Sequence, residues 1–260
     1  MATDEAIFWE SLHSETFPTL RLYGWSRPAV SIGHFQNATA EVDLDACRGR
    51  NIAIVRRPTG GRAVFHDEEL TYAVVSGSAL PSFPLSVTGT YRVIMACIAR
   101  GLESFAIRTD LSGADSSGDH SVLPACCFSM PSRHELLAGG KKICGSAQFR
   151  SRDGFLQHGS LLWAFDPCKT WDLLLPHLKH EEQIAGLRAS ATSVKEAGGG
   201  FMDFNELIDA VVRGFQDVLG IEFAEGHLTP GEENLRDRLL VEKYHTDRWN
   251  IEGRVAKHGL

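Results

Sequence analysis

His134-Glu-Leu-Leu-Ala-Gly-Gly-Lys-Lys-Ile-Cys-Gly-Ser-Ala-Gln-Phe-Arg-Ser-Arg-Asp-Gly-Phe-Leu-Gln-His-Gly-Ser-Leu-Leu-Trp163 reads as two hairpins in succession. Gly139-Gly140 separates His134–Ala138 from Lys141–Arg150, and Asp153-Gly154 separates the latter from Phe155–Trp163. Both dipeptides suit type I′ turns, which need positive φ at both central residues. The pattern predicts a three-stranded meander over Arg133–Trp163, in a register where Arg152 faces Phe155, Phe149 faces His158 and Ala147 faces Ser160. Upstream, Arg21–Trp25, Ala29–Gly33, Ile52–Val55, Arg62–His66 and Leu70–Ser76 are short, apolar or β-branched, and bounded by Gly, Pro or Asp, so they read as further strands. Ile94, Ile98, Leu102 and Phe105 recur at helical spacing within Tyr91–Ile107. Asp203 with Glu206 forms a capping box ahead of the stripe Phe204, Leu207, Ile208, Val211, Val212 and Phe215, and Gly220 supplies a stop. Leu111–His120 has little to bury and reads as a mobile loop. The sum is one compact α+β domain over residues 1–255, with a mixed, mainly antiparallel sheet flanked by helices.

Composition narrows the function. With 260 residues, 43% of them hydrophobic and 23% charged, the chain is globular rather than disordered. Its 26 basic against 33 acidic residues leave a net charge of −7, which argues against a general nucleic-acid binder. No apolar run approaches the roughly 18–20 residues of a membrane span, and Asp4 and Glu5 stand where a secretory signal would carry basic residues. Six cysteines without CxxC pairs do not form a disulfide framework. A cytoplasmic protein with no membrane partner is expected. The eleven histidines and six cysteines lack paired ligand spacing, so no metal is expected.

Two stretches carry candidate chemistry. In Arg56-Arg-Pro-Thr-Gly-Gly-Arg-Ala-Val-Phe-His66, adjacent glycines let backbone approach a ligand closely, and Arg57 and Arg62 flank them. A plain tight turn is the competing reading. In Lys142 to Gln148 and Gln157 to Ser160, the small residues Gly145, Ser146, Ala147, Gly159 and Ser160 leave a furrow on the sheet, with a lysine at its mouth. That furrow suits a slender acyl chain; a glycine-weakened strand with surface lysines is the alternative.

Together, in this order and separation, the two stretches resemble the signature of the lipoate–protein ligase and octanoyltransferase superfamily, and the likeness extends over nearly all of residues 1–255. It implies the biotin/lipoate protein ligase catalytic fold. ATP-dependent ligases of this superfamily typically carry Gly-Gly-Gly in the first stretch, an Arg-Asn-Asp motif before the lysine, and often a C-terminal accessory domain. Here the chain reads Gly60-Gly-Arg62, then Glu69-Leu-Thr-Tyr72, and Arg133-His-Glu135, and too little sequence follows for a full accessory domain. Cys127-Phe128 upstream of the lysine, and Tyr244 with Trp249-Asn250, resemble the cysteine-dependent octanoyltransferase branch instead.

That resemblance implies a concrete reaction. Octanoyl passes from acyl carrier protein to Cys127, then to a lysine of a lipoyl-accepting protein, foremost the glycine-cleavage H protein and then the lipoyl domains of 2-oxoacid dehydrogenases. Thiol-for-thiol exchange is nearly isoenergetic, so no ATP and no cofactor are required. Lys142 is expected to favour the thiolate and hold the thioester carbonyl, and backbone N–H groups around Ser146–Ala147 to receive the oxyanion. Arg57, Gly60, Gly61, Arg62, His66, Gly145, Ser146, Ala147, His158 and Gly159 are the expected substrate-binding set, with His66 and His158 also candidate bases. Among the other cysteines, Cys97 reads as core, Cys47 and Cys168 as inert, Cys144 as a minor rival facing the furrow, and Cys126 as the neighbour a one-residue error would select. Arg56, Arg57, Arg62, Lys141, Arg150 and Arg152 could form a basic patch for an acidic partner. A monomer is the default. The competing functions are an ATP-dependent lipoate–protein ligase, a lipoyl-domain amidotransferase, and a non-catalytic acyl- or carrier-binding module.

Overall fold

The structure, a computed structural model, describes residues 1–13, 17–77, 83–113, 135–174, 181–198 and 203–254. In chain order the elements begin with α1 (Ala2–Ser11), β1 (Thr19–Tyr23), β2 (Ala29–Ile32), α2 (Ala38–Glu41), α3 (Leu44–Gly49), β3 (Ala53–Arg56), β4 (Val64–His66) and β5 (Glu69–Gly77). There follow α4 (Val87–Leu102), β6 (Thr109–Leu111), β7 (Leu136–Ala138), β8 (Lys141–Arg150) and β9 (Gly154–Leu162). The last part holds α5 (Pro167–Leu174), α6 (Glu181–Ser190), α7 (Val194–Ala197), α8 (Phe204–Leu219), α9 (Pro230–Leu239) and α10 (Asp247–Asn250). Among the described residues the strands form two sheets. The larger has the order β1-β5-β9-β8-β7-β6 and is antiparallel throughout. In the smaller, β3-β2-β4, β2 runs parallel to β3 and antiparallel to β4. The α+β class with a mixed, mainly antiparallel arrangement is what the sequence predicts.

One face of the large sheet packs on α4 and α8, where Ile94, Ile98 and Leu102 meet Leu207, Val211 and Phe215. Each such side chain contributes about 1.5–3 kcal/mol when fully buried. The other face takes α1, whose Ile7 and Phe8 pack on Ala73, Val75 and Leu156. The small sheet has its own core, in which Val30, Ile32 and Val64 meet Trp171, Leu174 and Leu187. The α8 capping box is present, with Gly220 at φ 64° ending the helix. Among the described residues, no helix is long and apolar enough to cross a membrane.

The meander forms, with one change of register. Gly139 and Gly140 hold φ of 57° and 78°, as a type I′ turn requires. The second turn is centred on Arg152-Asp153 instead of Asp153-Gly154, because Ser151 N donates to Gly154 O. Gly154 opens β9 and answers a packing demand: a Cβ there would lie 2.6 Å from Ser76 O. Arg150 therefore faces Phe155, and Ala147 faces His158 where Ser160 is expected. A slip of two residues leaves every side chain on its face, so the furrow survives. The α4 helix starts earlier than its periodicity suggests, since Ser86 caps it through Gly89 N. It also ends earlier, at Leu102, with a 3₁₀ turn over Glu103–Phe105 and Ala106 in the left-handed region. Leu111 belongs to edge strand β6 rather than to a loop, and the expected loop beyond residue 113 lies outside the described residues.

Candidate active site

The turn after β3 is built from inside by two arginines. Arg57 Nη1 donates to Ser31 O at 3.0 Å and Ser31 Oγ at 2.7 Å, while Nη2 donates to Gly60 O at 3.1 Å and Arg62 O at 2.9 Å. Arg56 Nη1 donates to the carbonyls of Gly33, His34 and Gln36, its Nε to Trp249 O, and its Nη2 to Ile251 O. Both side chains are buried, so Arg56 and Arg57 do not belong to a basic docking patch. Each charge is matched by carbonyl dipoles that fix the loop. Lys141 and Arg150 are likewise engaged, with Glu196 and with Thr90 and Gln148. Gly61 sits at φ 95°, and a Cβ on Gly33 would stand only 2.0 Å from Gly61 O, so these two backbones touch.

Beneath this turn lies a cleft of about 390 Å³, open side included, bounded by Arg57, Gly61, Val64, His66 and Thr71 and by Gly145–Ala147 and His158–Ser160. The turn and the small-residue furrow, separate in sequence, thus face each other. The predicted residues Arg57, Gly61, His66, Gly145, Ser146, Ala147, His158 and Gly159 all border it. Gly60 stands beside it through its bond to Arg57, and Arg62 contributes its carbonyl, with its side chain half-buried.

Lys142 does not stand at the mouth. It is 0% exposed, with Nζ 2.5 Å from Glu135 Oε1. A bulge pairs Lys142 with Leu137 and Cys144 with the adjacent Leu136, so Lys142 does not share a face with Cys144 by alternation. Cys144 and Ser146 lie on the face of β8 turned toward α4. There Ser146 Oγ pairs with Tyr72 Oη at 2.6 Å. Gly145 and Ala147 occupy the opposite face, with the Ala147 Cβ against Gly61. Ser146 O accepts from Tyr91 Oη at 3.3 Å, so the Ser146 N–H, which points the same way in a strand, lies along that edge as a backbone donor.

Cys127 and Cys126 lie outside the described residues. None of the four described cysteines borders the cleft. Burial pushes the thiols of Cys97 and Cys144 up to about 12 and that of Cys47 up to about 11, so all three stay protonated, and Cys168 is exposed on α5. Cys144 is core rather than furrow.

A hydrogen-bond network that sequence reading misses forms the cleft floor. His66 Nε2 lies 2.5 Å from Ser31 Oγ, and His66 Nδ1 lies 2.8 Å from Glu69 Oε1. Because Arg57 already donates to Ser31 Oγ, the serine hydrogen goes to Nε2, and Nδ1–H goes to Glu69. Glu69 Oε1 also accepts from Thr71, Ser160 and Trp25, and Trp25 stacks on His66 with centroids 4.3 Å apart. Burial would raise the Glu69 carboxyl, but His66 and the bonds from Thr71 and Ser160 outweigh it and hold it low. The one hint in the sequence is the lone hydroxyl of Ser31 in an otherwise apolar strand. With both ring nitrogens engaged, His66 presents only carbon to the cleft and is held in place rather than poised as a base.

His158 is buried, with Nε2 2.6 Å from Thr59 Oγ1. Burial, with Arg57 beside it, lowers its pKa to about 3, so it is neutral in the fold and too weak a base to take a proton from an amine. The unfolded ring binds a proton below its ordinary 6.5 while the folded ring does not, so stability falls as the pH drops from 6.5 toward 3. The buried carboxylates Glu69 and Asp4 are held below their ordinary 4.5 and 3.8, so they add losses as the pH falls below about 4.5. Between pH 6.5 and about 4.5, unfolding free energy should therefore fall by up to ~1.4 kcal/mol per pH unit, with His34 adding in the same direction. Urea titrations should give a shallower slope for His158→Gln; an unchanged slope would refute the assignment.

Comparison with known proteins agrees with this geometry. Residues 1–216 match the family model for the lipoyl protein ligase A/B catalytic domain. The chain is similar to Octanoyltransferase LipM of Symbiobacterium thermophilum, 43% identical over 257 residues that cover 96% of this chain and 93% of that one. It is also similar to Octanoyltransferase LipM of Kyrpidia tusciae, 39% identical over 255 residues with the same coverage. Among solved structures, a bi-partite lipoate protein ligase from Thermoplasma acidophilum superposes with a TM-score of 0.81 at 27% identity, covering 100% of this chain and 92% of that one.

Proposed function

The chain belongs to the lipoyl protein ligase A/B catalytic-domain family, and from that premise we propose that it carries octanoyl from acyl carrier protein to a protein lysine through a thioester on Cys127. It is an octanoyltransferase of protein lipoylation, the activity carried by relatives 35–43% identical over nearly the whole chain. The observation that supports the acyl substrate is the wall of the cleft. Its polar side chains bond one another, Ser160 and Thr71 to Glu69, His66 to Ser31 and Glu69, His158 to Thr59, so what faces the open space is largely carbon. An unbranched alkyl chain suits such a slot, although His158 Nδ1 and Glu69 Oε2 are buried there with no hydrogen-bond partner.

The chemistry balances without nucleotide. The Cys127 thiolate attacks the carrier thioester, a new C–S bond replaces the old, and the carrier thiol leaves with the proton. The acceptor amine then attacks the enzyme thioester, so that a C–N bond forms, the C–S bond breaks, and the departing thiolate takes the proton the amine loses. Lys142, held by Glu135, supplies the positive charge that favours the thiolate and the developing oxyanion, with the Ser146 N–H as a second donor. The three buried cysteines are poor nucleophiles for this role, which supports a cysteine upstream of Glu135. The glycine-cleavage H protein is the proposed acceptor, followed by lipoyl domains of 2-oxoacid dehydrogenases. A monomeric catalytic domain over residues 1–255 in the cytoplasm is the proposed setting.

A transfer assay tests this reading. With octanoyl-acyl carrier protein and H protein, and without ATP, the H protein should gain one octanoyl group on a lysine. Product only from free lipoate or octanoate with ATP and magnesium would make the chain a ligase, product only from an octanoylated H protein donor would make it an amidotransferase, and no product under any of these conditions would make it a binding module.

A further inference from the structure

We propose that Phe35 is the docking contact for the lysine-bearing acceptor domain. The inference rests on the transferase reading and adds the surface by which the second substrate is recognised. Phe35 is 90% exposed, yet it stands on a tightly held loop. His34 N donates to Thr59 O at 2.8 Å, Gly33 N to Gln36 Oε1 at 2.9 Å, and Arg56 to three carbonyls of the loop. The His34 ring meets the Phe35 ring edge-on at 4.6 Å. The contact of Gly33 with Gly61 seats this loop directly on the turn that roofs the cleft. A rigid aromatic in water loses little conformational freedom when a partner covers it, which is the profile of an interface anchor.

Reach decides which partner it serves. A lysine carries its amine only about 6 Å beyond its Cα. The acceptor backbone must therefore come down onto the rim of the cleft for the amine to meet the thioester. A carrier protein delivers its acyl group on a much longer prosthetic arm and can keep its body away from the rim. Contact beside the Gly60-Gly61 turn is thus demanded of the acceptor and not of the donor.

The test uses Phe35→Ala and Phe35→Leu in the full chain. With H protein as acceptor, Phe35→Ala should raise KM roughly tenfold, the scale of a lost aromatic anchor, with kcat kept within about twofold. Phe35→Leu should recover part of the loss. Loading from octanoyl-acyl carrier protein, and release of the acyl group to hydroxylamine, should keep wild-type rates. An unchanged KM for H protein would overturn the proposal. So would an equal loss with hydroxylamine, which would mean a disturbed loop, or a selective loss in loading, which would assign Phe35 to the donor. A wild-type protein that fails to load at all would refute the transferase reading, which is a separate result.

Discussion

Lys142→Met should lower the unfolding free energy by about 3–5 kcal/mol, because it leaves the Glu135 carboxylate buried without its cation. The pair is nearly sealed, with the lysine side chain 0% and the glutamate side chain 3% exposed. Replacing both partners by apolar residues, Lys142→Met with Glu135→Leu, should restore most of that stability, since the desolvation cost of both ions disappears together. Stability and activity then separate. If Lys142 acts on the thioester, the double variant should remain at least about 100-fold slower in transfer although it folds, the scale of removing one oxyanion donor. If the double variant works within a few fold of wild type, Lys142 is a structural ion and its catalytic assignment fails. Urea unfolding read alongside steady-state transfer decides between them.

Arg56→Ala should cost at least about 3 kcal/mol, because a buried guanidinium holding five backbone carbonyls is removed at once. Arg56→Lys should recover little, since an ammonium cannot reproduce the planar fork that reaches both the Gly33–Gln36 loop and the Trp249–Ile251 segment. The backbone of Arg56 is also engaged, its N–H with Asn250 Oδ1 and its carbonyl with Trp249 Nε1, so strand β3 and the C-terminal helix α10 are tied at one residue. Transfer should fall with stability, because the Gly60-Gly61 turn rests on this loop. Wild-type urea midpoint and rate in Arg56→Ala would show that the loop does not depend on the arginine.

The sequence made the local features legible because they rest on near neighbours. Gly139-Gly140 needs only its own φ values, and the Asp203–Glu206 box only one turn of helix. The second hairpin was misplaced by one residue in its turn because the reason for Gly154 lies on β5, 77 residues earlier at Gly77. Arg56 and Arg57 read as surface charge because, apart from the Ser31 hydroxyl, their partners are carbonyls, and carbonyls leave no mark in a sequence. The Ser31–His66–Glu69 network was hidden for the same reason: β2, β4 and β5 must be assembled before a serine and a histidine 35 positions apart meet. Lys142 reads as a lysine at the cleft mouth because neither the bulge beside it nor its burial against Glu135 can be seen before β7 and β8 are paired. The two site-bearing stretches were legible as a pair, and their meeting across one cleft needs the fold.

The most direct test is intact mass of the protein after incubation with octanoyl-acyl carrier protein in the absence of ATP, followed by peptide mapping. A single octanoyl adduct on the peptide carrying Cys127, lost in Cys127→Ser and kept in Cys144→Ser, is the predicted result. An adduct of undiminished size in Cys127→Ser, or none in the wild-type protein while transfer proceeds, would contradict the account.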